Sequence, residues 1–247
     1  MKERSIVLMF LLLFVAGSVG CSQEGGWHIA VERYQRPAED QLAESVAQIL
    51  RESTGVDPQK VTLIRETGST LLSYGRYSDF ESPAAQGDLK LIKSLGMPGK
   101  GVAFPVAHIE LLPEEDPPVP HGWMLTNGGG YWTLEVARFD LPGRKKAAAA
   151  YLKMLRDKRV PAYIWNGRYR SVVTVGSFAQ SAMTTVGGPP AGPAKLVITD
   201  PQLKKFQKDF QFLLINGEYH YLVGAKGQRL RLETEVITIA HPEGSIW

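Results

Sequence analysis

From Trp27 the apolar residues first recur at every second position. Ile29 and Val31 alternate with their neighbours in WHIAVERY, the period of a half-buried strand. The period then lengthens. Leu42, Val46, Ile49 and Leu50 fall at i, i+4, i+7 and i+8, one apolar face of a helix. Pro37 suits a first helical turn, Glu39 and Asp40 suit the positive end of its dipole, and Gly55 suits a stop. Two further strands are predicted at 61–65 and 71–77. A second helix is predicted at 83–95, with Leu89, Ile92 and Leu95 on its buried side, and a closing strand at 106–112. The pattern therefore predicts β-α-β-β-α-β within residues 27–112.

The same pattern returns. WTLEVARFDLPG, starting at Trp132, repeats WHIAVERYQRPA, starting at Trp27. Trp27/Trp132, Val31/Val136, Arg33/Arg138 and Pro37/Pro142 are each 105 residues apart. Ala147, Tyr151, Met154 and Leu155 form a helical stripe. A strand at 162–165, an Asn166-Gly167 turn and a strand at 169–178 read as a hairpin. Tyr-Gly-Arg-Tyr at 74–77 parallels Val-Gly-Ser-Phe at 175–178, and Leu89, Lys90 and Ile92 parallel Leu203, Lys204 and Phe206. Between those matches the offset grows from 101 to 114. The surplus of 13 residues falls in or near the glycine- and proline-rich stretch 187–193, where a loop insertion is tolerated. The expected class is α+β, with two tandem βαββαβ modules at 27–112 and 131–247. The Pro/Gly-rich segment 113–130 joins them, its PEEDPPVP stretch reading as a stiff, extended spacer.

Composition is that of a folded protein: 247 residues, 44% hydrophobic, formal net charge +3. That charge is too small and too mixed to suggest a nucleic-acid partner. Residues 1–20 stand apart. Lys2 and Arg4 give a basic start, 6–16 is an apolar run of 11, and small residues lead to Cys21, the single cysteine. Such a run is short for a membrane span and suits a secretory signal. Ser18-Val19-Gly20-Cys21 resembles the bacterial lipobox, which implies acylation of Cys21 (palmitate among the chains) and a membrane anchor. Residues 21–26 would be the lipidated tether. Ser22 to Gly26 could reach about 17 Å at roughly 3.3–3.6 Å per residue, and the spacer about 25 Å at ~3.1 Å per residue. Binding would then fall mainly to the second module.

WTLEVARF, the helix and strand AAAAYLKMLRDKRVPAYIW, and YRSVVTVGSF together resemble a SPOR domain, the sporulation-related repeat of bacterial envelope proteins. The resemblance implies a βαββαβ fold of ferredoxin-like kind that binds peptidoglycan glycan strands on the open face of its sheet. Where that family often has a Gln followed by Gly-Ser-Phe, this chain has Glu135 and then Ala137-Arg138-Phe139, and the first copy has Ala30 and Glu32-Arg33-Tyr34. Tyr163 and Trp165 should share the face opposite Ala162 and Ile164. With Arg138 they would suit stacking and hydrogen bonding to a sugar, with Glu135 beside them.

No catalytic pattern emerges. His28, His108, His121, His220 and His241 are scattered with no zinc-helix spacing, no G-x-S-x-G occurs, and Gly99-Lys100 lacks the upstream glycine of a phosphate loop. Lys90, Lys93 and Lys100, and Lys204, Lys205 and Lys208, read as solvated faces. Two functions follow for a non-catalytic, cofactor-free lipoprotein of the bacterial envelope, facing the periplasm. One is binding of peptidoglycan or another envelope glycan. The other is an envelope protein–protein adaptor whose sheet faces are covered by a partner or by each other. Tyr163, Trp165 and Arg138 favour the glycan; the replaced Gln and Ser favour the adaptor.

Overall fold

The computed structural model describes residues 26–97, 101–187, 194–223 and 228–240; the apolar run, Cys21 and tether residues 22–25 lie outside them. The fold is mixed α+β, with four helices laid against largely antiparallel sheets. The first sheet begins with β1 (Trp27–Gln35). Then come α1 (Asp40–Arg51), β2 (Val61–Glu66), β3 (Ser69–Tyr77) and α2 (Pro83–Ser94). After the short arms β4 (Gly96–Met97) and β5 (Gly101–Val102), β6 (His108–Leu111) completes the order β2-β3-β1-β6, every neighbour antiparallel. Both helices pack on one face, where Ile29, Val31, Leu72 and Tyr74 meet Ala43, Ala47, Leu50, Ala85 and Ile92.

The second sheet is built around β7 (Trp132–Phe139), followed by α3 (Arg144–Asp157), β8 (Ala162–Asn166) and β9 (Ser171–Phe178). A hairpin of β10 (Met183–Val186) and β11 (Lys195–Ile198) precedes α4 (Pro201–Asp209). The remainder is β12 (Leu214–Ile215), β13 (Glu218–Tyr219), β14 (Tyr221–Val223), β15 (Arg229–Arg231) and β16 (Glu235–Thr238). β9 lies between β8 and β7. On the other edge of β7, β16 runs antiparallel beside Trp132 to Glu135, and β12 runs parallel beside Ala137 and Arg138. Leu134, Val136, Ile164 and Val175 meet Ala148, Leu152, Leu155, Leu203 and Phe206 in a second core.

The two halves share unusual local devices. Against its antiparallel neighbour β1 slips register between Trp27 and Ile29 and between Ala30 and Glu32. β7 slips between Trp132 and Leu134 and between Glu135 and Ala137, the same places 105 residues on. Gly75 and Gly176 both have positive φ, +69° and +72°, and in each a Cβ would overlap the ring two residues ahead, Tyr77 or Phe178. Tyr77 and Phe178 are the register partners of Trp27 and Trp132 respectively.

Several expectations need correction. The buried stripe of α1 is Ala43, Val46, Ala47 and Leu50, while Leu42 and Ile49 are 51% and 54% exposed. That of α3 is Arg144, Ala148, Leu152 and Leu155; Ala147 is exposed and Tyr151 and Met154 are half-buried. In α1, close approach of helix to sheet favours the small Ala43 and Ala47 over the longer side chains. Pro37 lies in the turn before α1, and the closing strand is shorter than expected, with Val106 exposed. The two-residue Asn166-Gly167 turn is a four-residue loop, 167–170, closed by the Gly167 N–H donating to the Arg170 carbonyl. The segment 113–120 is no free spacer. Glu114 accepts from the backbone N–H groups of Gly143 and Lys145 and pairs with Arg144 at 2.6 Å, so the chain is fastened to the start of α3.

These cores predict a contrast within one helix. Leu155→Ala should cost about 2–4 kcal/mol, a buried large-to-small change, and Lys153→Ala less than about 0.5 kcal/mol. Urea titration of both variants measures it; equal losses would contradict the packing of α3 described above.

Candidate functional site

The four residues singled out for ligand contact come together on the face of the second sheet opposite α3 and α4. Register aligns Tyr163 with Thr174 and Glu135 in one row, and Trp165 with Val172 and Arg138 in the next. Cys21 falls outside the described residues. Glu135 and Arg138 are three apart, so simple alternation would put them on opposite faces. The register shift between Glu135 and Ala137 returns both to one.

Together they form a fork. Arg138 donates from Nε to Glu135 Oε1 at 2.8 Å and from Nη2 to Oε2 at 3.0 Å. Glu135 is only 1% exposed, and its hydrogen bonds raise the guanidinium pKa against the opposing effect of burial. Thr174 and Val172, the middle members of the two rows, are buried. The segment 124–130 bridges to this sheet: Met124 pairs with Ile164, and the Ser177 hydroxyl donates to the Gly128 carbonyl at 2.5 Å. Leu125, within that segment, is fully buried. Tyr163 and Trp165 are half-buried. The Arg156 guanidinium lies 4.9 Å from the Tyr163 ring centre and 5.4 Å from that of Trp123, and Trp165 folds over Gly167. A carbohydrate would find the fork already spent and the ring of Tyr163 already carrying a cation.

A second cluster, missed in the sequence, lies on the corresponding face of the first sheet. Glu110, on β6, pairs with Arg33, and its Oε1 lies 3.5 Å from His28 Nε2. The loop 167–170 of the other half reaches into it. Arg168 Nη2 is 3.1 Å from Glu110 and 3.0 Å from Glu66, and the Tyr169 hydroxyl donates to Glu110 at 3.4 Å. Arg144, buried at the head of α3, donates to the Arg168 carbonyl and steadies the loop. His28 Nδ1 is 2.6 Å from Ser73 Oγ, so hydroxyl, imidazole and carboxylate follow one another as in nucleophilic sites. All three are buried, which leaves Ser73 no approach for a substrate. This cluster joins the two halves. Its contacts join residues 45 to 102 apart in sequence, and no local motif marks them.

Among the described residues no group of three or more His, Cys, Asp or Glu could hold a metal ion, and no helix is long and apolar enough to cross a membrane. The chain matches no protein-family model, no curated protein and no solved structure.

Proposed function

We propose that the chain is a non-catalytic, lipid-anchored protein of the bacterial cell envelope that works as a protein–protein adaptor. Residues 27–112 and 131–247 are read as two SPOR-like βαββαβ units of ferredoxin-like kind, joined by 113–130 and tethered through Cys21. The strand orders β2-β3-β1-β6 and β8-β9-β7-β16 support that pairing of units, as do the register shifts repeated 105 residues apart. The observation that carries the adaptor reading is the Arg138–Glu135 fork, closed on itself with a carboxylate 1% exposed. Its donors and acceptors are spent on each other rather than held out to a glycan strand.

The glycan reading has one observation of its own: Tyr163 and Trp165 share a face and are half-exposed. Sedimentation with purified cell-wall sacculi separates the two. The soluble chain starting at residue 26 should stay in the supernatant, with or without stem-peptide removal. Pelleting that is lost in Trp165→Ala would replace the adaptor with a glycan binder.

A further inference from the structure

The adaptor reading leaves unused the ribbon formed by β14 and β15. Its register pairs Tyr221 with Arg231, Leu222 with Leu230 and Val223 with Arg229. Alternation therefore gives one face Tyr221, Val223, Arg229 and Arg231, and the other Leu222 and Leu230, all of them exposed. The Arg231 guanidinium lies 5.0 Å from the ring centre of Tyr219, 5.1 Å from Phe212 and 5.8 Å from Tyr221. Arg229 lies 4.9 Å from Tyr221. Among the described residues neither arginine has a carboxylate within 4.0 Å.

Stacking restricts a guanidinium's motion and leaves its edge to donate. Arg231 already uses Nε, which donates to the Tyr221 hydroxyl at 3.3 Å, so its terminal nitrogens are the ones to meet a ligand. Less conformational freedom is then lost when a carboxylate binds. Here two such forks stand two residues apart on one strand, about 6.6 Å at ~3.3 Å per residue. Every second side chain of an extended peptide repeats at that distance. Beside Phe212 an open cavity of about 430 Å³ adds Lys204 and Lys208 against one acid, Glu233.

We propose that this face docks an extended acidic segment of a partner protein, carboxylates at alternate residues meeting Arg229 and Arg231. The proposal deepens the adaptor reading and rests on it. A flat anionic membrane fits less well. Contact through the arginines would turn Leu222 and Leu230 away from the lipid, and headgroup phosphates have no fixed spacing along a strand.

The test is fluorescence anisotropy of a labelled peptide alternating Glu and Thr, titrated with the soluble chain, beside the same peptide with Gln for Glu. The Glu peptide should bind and the Gln peptide should not. Arg229→Ala and Arg231→Ala should each weaken binding about tenfold, the scale of one charged hydrogen-bonded pair. Arg231→Lys should weaken it too, since an ammonium keeps the charge without the fork. These side chains are exposed, and circular dichroism checks that each variant folds. Equal binding of both peptides, or undiminished binding by Arg231→Lys, overturns the proposal. So does Arg231-dependent binding to phosphatidylglycerol vesicles without binding to the peptide. No peptide binding, with sacculi also unbound, removes this site and leaves the adaptor reading. Binding to sacculi removes the reading itself.

Discussion

Glu110→Leu is expected to lower the unfolding free energy by about 3 kcal/mol, read by urea titration. The wild-type carboxylate is buried and faces Arg33, His28, His108, Arg168 and Tyr169, with Glu66 the neighbouring acid. Removing it strands positive groups that were drawn in by it. The cost sits at the low end of that for a broken buried pair because Arg33 and Arg168 keep some access to water. Arg168→Ala should cost less, about 1 kcal/mol, since it releases a partly exposed side chain. Acid should reproduce the loss. Burial alone raises the Glu110 pKa; the His28 hydrogen bond and the charges of Arg33, His28 and His108 outweigh it and bring the carboxyl below its ordinary value. A folded pKa below the unfolded one gives stability that is present above the unfolded value, ~4.3 for Glu, and is lost as pH falls through the folded value. Glu110→Gln should therefore flatten the acid limb of the stability curve. An acid limb identical to wild type would remove Glu110 from this role.

Gly75→Ala and Gly176→Ala should each cost about 2–5 kcal/mol, by similar amounts. Both positions combine a positive φ, worth about 1–2 kcal/mol against a side chain, with a methyl that would overlap the Tyr77 or Phe178 ring, worth about 1–3 kcal/mol. Gly68 supplies the control. Its φ is +78° with nothing near the added carbon, so Gly68→Ala should show the backbone cost alone. Thermal melts of the three variants measure this. A Gly176→Ala no worse than Gly68→Ala would mean the ring moves aside, and the shared device would lose its structural meaning.

The four helices and strands β1 to β3 and β7 to β9 were legible in the sequence because each period is local, two for strands and near 3.6 for helices; the β10–β11 hairpin and the short strands β12 to β15 were not. Nor were the helix faces. Counting large apolar residues pointed to Leu42 and Ile49, whereas close helix–sheet contact selects Ala43 and Ala47. The site was half legible. Tyr163 and Trp165 follow from alternation along β8. The closure of Glu135 on Arg138 depends on a bulge, and a bulge depends on how the neighbouring strand pairs. The loop 167–170 read as a tight turn from its Asn-Gly. Its longer course serves Arg168 and Tyr169, whose acceptor Glu110 is 58 and 59 residues away. No window of sequence contains that attraction.

The outer edges of β1 and β7 carry a difference in motion. β6 covers β1 only from Trp27 to Ala30, so from Glu32 to Gln35 the strand's ladder is with β3 alone. β7 has β9 on one side, with β16 and then β12 along most of the other. Amides held from both sides exchange with solvent only when a large part of the sheet opens, while those near a free edge exchange through small local openings. The amides of β7 should thus be among the slowest to take up deuterium, with those of β1 past Glu32 well ahead of them. Two copies of one pattern would then breathe at different rates, the first loosening at its far end while the second stays shut.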